Sequence, residues 1–201
     1  MRYKVIAALA TLWLLAMPSV VAAQTGIDWI SGDYPTYQVM AVEFAVTTGV
    51  GLGIFAFFPD WGHQAVRTAR QSTVFSFVVG IPGVLSIWVL WLASLALIAT
   101  VVGMIVGVPL AVFSFVFDVV WETVGYVAVG TVLGARLWTD NVWLGCFVGG
   151  VLSAVLVPIP YLGTLIGILV AMLGIGASLR VTLGAGGVDS RERSVPPAHR
   201  T

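Results

Sequence analysis

The sequence predicts an all-α fold, a polytopic integral membrane bundle of about five transmembrane helices behind an N-terminal signal peptide. Three observations predict it. Of 201 residues, 59% are hydrophobic and only 9% are charged, against about 25% charged in an ordinary soluble domain. The charges are also bunched, leaving 47 consecutive residues without one between Arg70 and Asp118 and 39 between Asp140 and Arg180. A single crossing takes about 20 apolar residues, so each run can hold two. Third, those runs are punctuated by Gly107-Val108-Pro109 and Val157-Pro158-Ile159-Pro160, and proline ends one helix yet suits the first turn of the next.

The elements follow in chain order. Residues 1–23 are expected as a signal peptide, or alternatively as an uncleaved anchor: Arg2 and Lys4, a short apolar stretch from Val5 to Met17, then Pro18 and Val21-Ala22-Ala23. Residues 24–39, with Trp29, Tyr34 and Tyr37, make a short external segment whose aromatics suit the interface. A helical membrane domain occupies residues 40–180. Its first crossing, 40–58, is stopped by Pro59 and Asp60, and Gly49, Gly51 and Gly53 weaken it and let another helix approach. Residues 60–72, basic through Arg67 and Arg70, are expected as an amphipathic segment lying on the cytoplasmic surface.

A straight helix over residues 73–106 would be too long for the bilayer core, so Gly80, Pro82 and Gly83 are expected to break it. The second crossing is then 83–106, the turn falls at Gly107-Val108-Pro109, and the third crossing runs 110–135. The fourth and fifth, 142–157 and 161–179, are short and are divided at Pro158 and Pro160. Residues 181–201 are too polar and glycine-broken to fold alone and are expected as a flexible cytoplasmic tail.

Orientation follows from the basic residues, which favour cytoplasmic loops. With the mature N-terminus outside and five crossings, Arg67, Arg70, Arg136, Arg180, Arg191, Arg193 and Arg200 all fall inside. A rival division makes residues 118–122 a loop, but leaves too few apolar residues before Arg136 for another crossing.

Equal numbers of acidic and basic residues give no basic face for nucleic acid. A lone Cys146 and the distant His63 and His199 supply neither a disulfide framework nor a metal site, and no cofactor is called for. No nucleophile and base set, phosphate loop or paired metal ligands can be assembled, so the expected function is non-enzymatic.

The candidate functional residues are Asp118 and Glu122, two carboxylates four apart and therefore on one helix face. Intramembrane charges are expensive and usually face the bundle interior or water, where they mark ion or proton pathways. Like charges so placed repel, which disfavours both being ionised together. Three readings stay open: polar packing with Ser114, Thr123 or Tyr126, a proton or cation site, and partner binding. Glu43, near the outer end of the first crossing, reaches the interface or caps polar groups of a neighbouring helix, or alternatively shares a site with Asp118. Four Gly-x-x-x-Gly pairs, Gly103 and Gly107, Gly130 and Gly134, Gly145 and Gly149, Gly163 and Gly167, offer flat strips for close helix packing within the chain, or alternatively for a homo-oligomer or membrane-protein partner.

A further set of motifs carries a family resemblance. Phe58-Pro59 before a basic segment, Ser76-Phe77 with Gly80, Gly107-Val108-Pro109-Leu110, Gly125, Leu133-Gly134, Ile159-Pro160 with Gly163, and Leu173-Gly174-Ile175-Gly176-Ala177 occur in that order. Over residues 58–180 the chain resembles the prokaryotic membrane module of bactofilin-like, polymer-forming proteins, in which such helices are often joined to a β-helical domain. No glycine-punctuated strand repeat accompanies the module in this chain. The resemblance implies an anchor or organiser of envelope or cytoskeleton-like partners in a cell membrane, and brings no catalytic residues with it.

Overall fold

The computed structural model describes residues 36–100, 102–137, 141–159 and 161–184. They form six helices: α1 (Thr36–Phe57), α2 (Pro59–Gln71), α3 (Thr73–Ile98), α4 (Met104–Leu137), α5 (Val142–Leu156) and α6 (Leu162–Thr182). No strand occurs among the described residues. The signal peptide expected at 1–23, most of the segment 24–39 and most of the tail 181–201 lie outside them. Helix α1 starts at Thr36, so residues 36–39 of that segment are helical.

Helices α1, α3, α4 and α6 are long and apolar enough to cross a membrane. The apolar α5 has 15 residues, about 22 Å, less than the hydrocarbon thickness of about 30 Å. Large apolar side chains such as Val74, Phe75, Val89, Leu92, Ile105 and Val112 are exposed, as expected where the solvent is lipid rather than water. The chain is a multi-pass membrane protein.

The expected break at Gly80, Pro82 and Gly83 does not occur: α3 runs unbroken through Pro82. The second crossing is therefore 73–98 rather than 83–106. In lipid an interrupted backbone has no water to satisfy it, so continuing the helix is favoured over pausing. The two glycines serve packing, Gly80 against the Met172 carbonyl and Gly83 against Ile175 of α6. The turn expected at 107–109 instead lies between Ile98 and Met104. There the Thr100 hydroxyl accepts from the Gly103 amide at 3.0 Å. Pro109 sits inside α4, which spans 34 residues and is about 51 Å long, in place of the expected 110–135.

Helix α2 also departs from expectation. Pro59 occupies its first turn, where the missing amide costs nothing. Its apolar face does not rest on the membrane surface: Ala65, Val66 and Ala69 are buried in one cluster with Val124, Val127 and Ala128 of α4 and Leu173 and Ala177 of α6. Trp61 Nε1 donates to Thr182 Oγ1 at 3.3 Å, tying α2 to the end of α6.

Close helix approach is set by glycines on both sides of α6. A Cβ at Gly174 would fall on the Trp121 carbonyl of α4, and one at Gly176 on the Ser76 carbonyl of α3. Among the eight glycines singled out from sequence, Gly130 packs on Gly145 and Gly149 to bring α4 against α5, and Gly163 packs on the Leu156 carbonyl. Gly134 and Gly167 are buried. Gly103 and Gly107 press on Leu97 and Ile98, bringing the start of α4 against the end of α3. Gly51 meets Cys146 and Val127, whereas Gly49 and Gly53 face open space.

One end of the bundle gathers the cations. Phe55 stacks edge-on against both His63 and Trp143, and Arg180 Nη1 donates to Ser72 Oγ at 2.6 Å and Ser76 Oγ at 3.1 Å. The end of α1, all of α2, and the starts of α3 and α5 thus meet the end of α6. Among the described residues, Arg67, Arg70, Arg136 and Arg180 are carried by segments at this end, with Asp60 on α2 the only acid beside them.

Candidate intramembrane carboxyl site

The other three described acids lie within the membrane helices. Their levels follow from helix pairing. Thr47 bonded to Ser153, Gly51 beside Cys146, and Phe55 against Trp143 set α1 antiparallel to α5. Gly130 against Gly145, with Gly149 against the Tyr126 carbonyl, sets α4 antiparallel to α5 as well. Helices α1 and α4 therefore run in the same direction, with Gly51 level with Val127. About two turns earlier on each lie Glu43 on α1 and the pair Asp118 and Glu122 on α4.

Glu122 stands one turn from Asp118 and one turn from Tyr126 on the same face of α4, and Glu43 of α1 lies within electrostatic range of it. Glu43 is 4% exposed and Asp118 8%, while Glu122 is half-buried. Asp118 lies about 21 Å into α4, near its midpoint.

The expectation that Glu43 reaches the interface is not met. Its Oε1 accepts from Thr47 Oγ1 at 3.5 Å, and Ser153 Oγ of α5 lies 3.1 Å from Thr47 Oγ1, within donating distance. Of the α4 pair it is Glu122 that lies within electrostatic range of Glu43, not the Asp118 of the alternative. The hydroxyl partners foreseen for the α4 pair divide differently. Ser114 Oγ is spent on the Leu110 carbonyl of its own helix, at 2.8 Å. Tyr126 is only 1% exposed and packs among Leu156 and Val170. Two atoms of the group, Asp118 Oδ2 and the Tyr126 hydroxyl, are buried without a hydrogen-bond partner.

Thr47 and Ser153 are members that sequence reasoning missed. Thr47 is detectable in principle, because it stands four residues after Glu43 and so shares its helix face. Ser153 carries no such signal, since its place depends on the register between α1 and α5.

Burying a polar atom without a partner costs about 1–3 kcal/mol, and the cost of a charged carboxyl is greater still. A carboxyl retained at that cost is suited to binding a proton. Among the described residues no three Asp, Glu, His or Cys side chains are disposed to hold a metal ion. Proton exchange needs no such convergence, because it proceeds through single hydrogen bonds and bridging hydroxyls.

No curated protein and no solved structure matches the chain. The family described as "Domain of unknown function (DUF8173)" matches residues 1–184, and the chain belongs to that family.

Proposed function

We propose that this protein is a non-enzymatic, proton-coupled membrane protein in which Glu43, Asp118 and Glu122 take up and pass protons within the bundle. The observation that carries the reading is the burial of Glu43 and Asp118, on two helices, in an apolar interior around the half-buried Glu122, with the Asp118 Oδ2 atom unpartnered. Intramembrane acids so placed are the usual components of proton relays. Protons are favoured over metal cations because chelation needs several donors at one point, whereas a relay needs only neighbouring groups.

The test is proton uptake into proteoliposomes carrying a trapped pH dye, driven by a potassium diffusion potential. The full chain is expected to take up protons, and the double substitution Asp118→Asn, Glu122→Gln to reduce uptake to the level of protein-free vesicles. Equal uptake by both proteins sinks the reading.

The proposed setting is a cell membrane with the mature N-terminus outside and the C-terminus in the cytoplasm. Support comes from the gathering of arginines on segments at one end of the bundle, since cytoplasmic loops favour Lys and Arg. Reporters fused after Arg70, Arg136 and Thr201 are expected to report cytoplasm, and an external signal at Thr201 overturns the orientation.

A second reading, an anchor for envelope or cytoskeleton-like partners, draws its support from the resemblance to bactofilin-associated membrane modules. Inactive vesicles together with repeated recovery of one partner from gently solubilised membranes would favour it over proton coupling.

A further inference from the structure

We infer that the arginine-rich end carries a binding site for the phosphate group of an anionic phospholipid, centred on Arg180 and independent of the carboxyl site. The Arg180 side chain is half-buried between the end of α6 and the start of α3. Its Nη1 donates to two serine hydroxyls, Ser72 Oγ at 2.6 Å and Ser76 Oγ at 3.1 Å. These partners are neutral, and their own hydroxyls point to the Thr68 carbonyl, at 3.1 Å from Ser72 and 3.4 Å from Ser76. The guanidinium is thus held in place on one edge without its charge being balanced there. No carboxylate of the described residues forms an ion pair with it.

A guanidinium fixed by one nitrogen presents its remaining N–H groups as a planar fork, which matches two oxygens of a phosphate. Charge complementarity extends beyond this residue. Arg67, exposed, precedes Ser72 on α2. Basic side chains at a membrane face attract anionic headgroups.

The level is right for a headgroup. Trp61, bonded to Thr182, and the exposed Trp143 mark this end, together with the exposed Phe57 and Phe58, and such aromatics sit at the membrane–water boundary. Because α2 packs its apolar face on α4 and α6, its arginines are fixed to the bundle and do not drift with a surface peptide. These observations favour a lipid phosphate over one dissolved in water, since the guanidinium is tied to the first turn of α3, the turn that also carries the exposed apolar Val74 and Phe75.

The experiment measures lipid retention by the purified full chain, using native mass spectrometry after equilibration with phosphatidylglycerol or phosphatidylcholine, with inorganic phosphate as a competitor in a third arm. Phosphatidylglycerol is expected to be retained in preference to phosphatidylcholine. Arg180→Gln is expected to lower that preference by about fivefold, the effect of one interfacial arginine. Arg180→Lys, which keeps the charge and one donor to Ser72, is expected to fall between the two. Arg67→Gln is expected to have a smaller effect. Equal retention of the two lipids by the unmodified chain overturns the inference, and this arm needs no variant to fold. So does an unchanged preference in a folded Arg180→Gln protein. Full displacement of the lipid by inorganic phosphate would overturn the assignment to lipid.

Discussion

Replacing Asp118 by leucine is expected to raise the thermal midpoint of the bundle while abolishing proton uptake. The Asp118 Oδ2 atom is buried without a partner, and Glu122 stands one turn away on the same face of α4. Leucine branches at Cγ as aspartate does, but carries no group that must be solvated. Removing a buried unsatisfied acceptor recovers about 1–3 kcal/mol, and exchanging buried charged groups for apolar ones is often stabilising. The measurement is intrinsic fluorescence during heating of the detergent-solubilised chain, which has eight tryptophans to report it, paired with the vesicle assay. A fall in the midpoint would identify Asp118 as a packing residue, the first of the readings that the sequence leaves open. A rise with loss of uptake identifies a group retained at a cost to stability because the protein uses it.

The opposite sign is expected at Gly176. A Cβ there would strike the Ser76 carbonyl and approach the Gly80 amide nitrogen at 2.7 Å. Both are backbone atoms, so no flexible side chain can yield, and the crossing of α3 and α6 must open. Gly176→Val is expected to cost at least the upper end of the about 1–3 kcal/mol typical of overpacking, read as loss of the monodisperse peak in size-exclusion chromatography. Gly49→Ala and Gly53→Ala, where a Cβ meets nothing within 4 Å, are expected to shift the midpoint by less than about 0.5 kcal/mol in equivalent stability. A Gly176→Val protein as stable as these controls would refute the α3–α6 contact.

Much of the fold was legible because lipid leaves the backbone few choices. Apolar runs give the membrane helices, and Asn141 before Val142, with Pro158 and Pro160 after Leu156, bounds α5 closely. The amphipathic character of α2 was also readable, but its docking was not, since Ala65, Val66 and Ala69 fit a protein surface or a lipid surface equally well. Helix punctuation failed at Gly80, Pro82 and Gly83 because those glycines are there for α6, and only the tertiary contact reveals it. The candidate site divides in the same way. Spacing on a single helix places Asp118 with Glu122, whereas joining Glu43 to them needs the register between α1 and α4. That register is fixed by Gly51, Val127 and the crossing of both helices with α5, not by any local pattern.

The length of α4 has a consequence for where the protein can reside. A helix of 34 residues exceeds the hydrocarbon thickness by about 20 Å, and its first turns, with Ile105 and Val106 exposed, are as apolar as its middle. Such an excess is relieved when the helix tilts or the surrounding acyl chains stretch, and each ångström of mismatch carries a small energetic cost. The α3–α4 hairpin therefore makes the protein sensitive to bilayer thickness. In a membrane of uneven composition, that cost draws it laterally toward the longest-chained lipid.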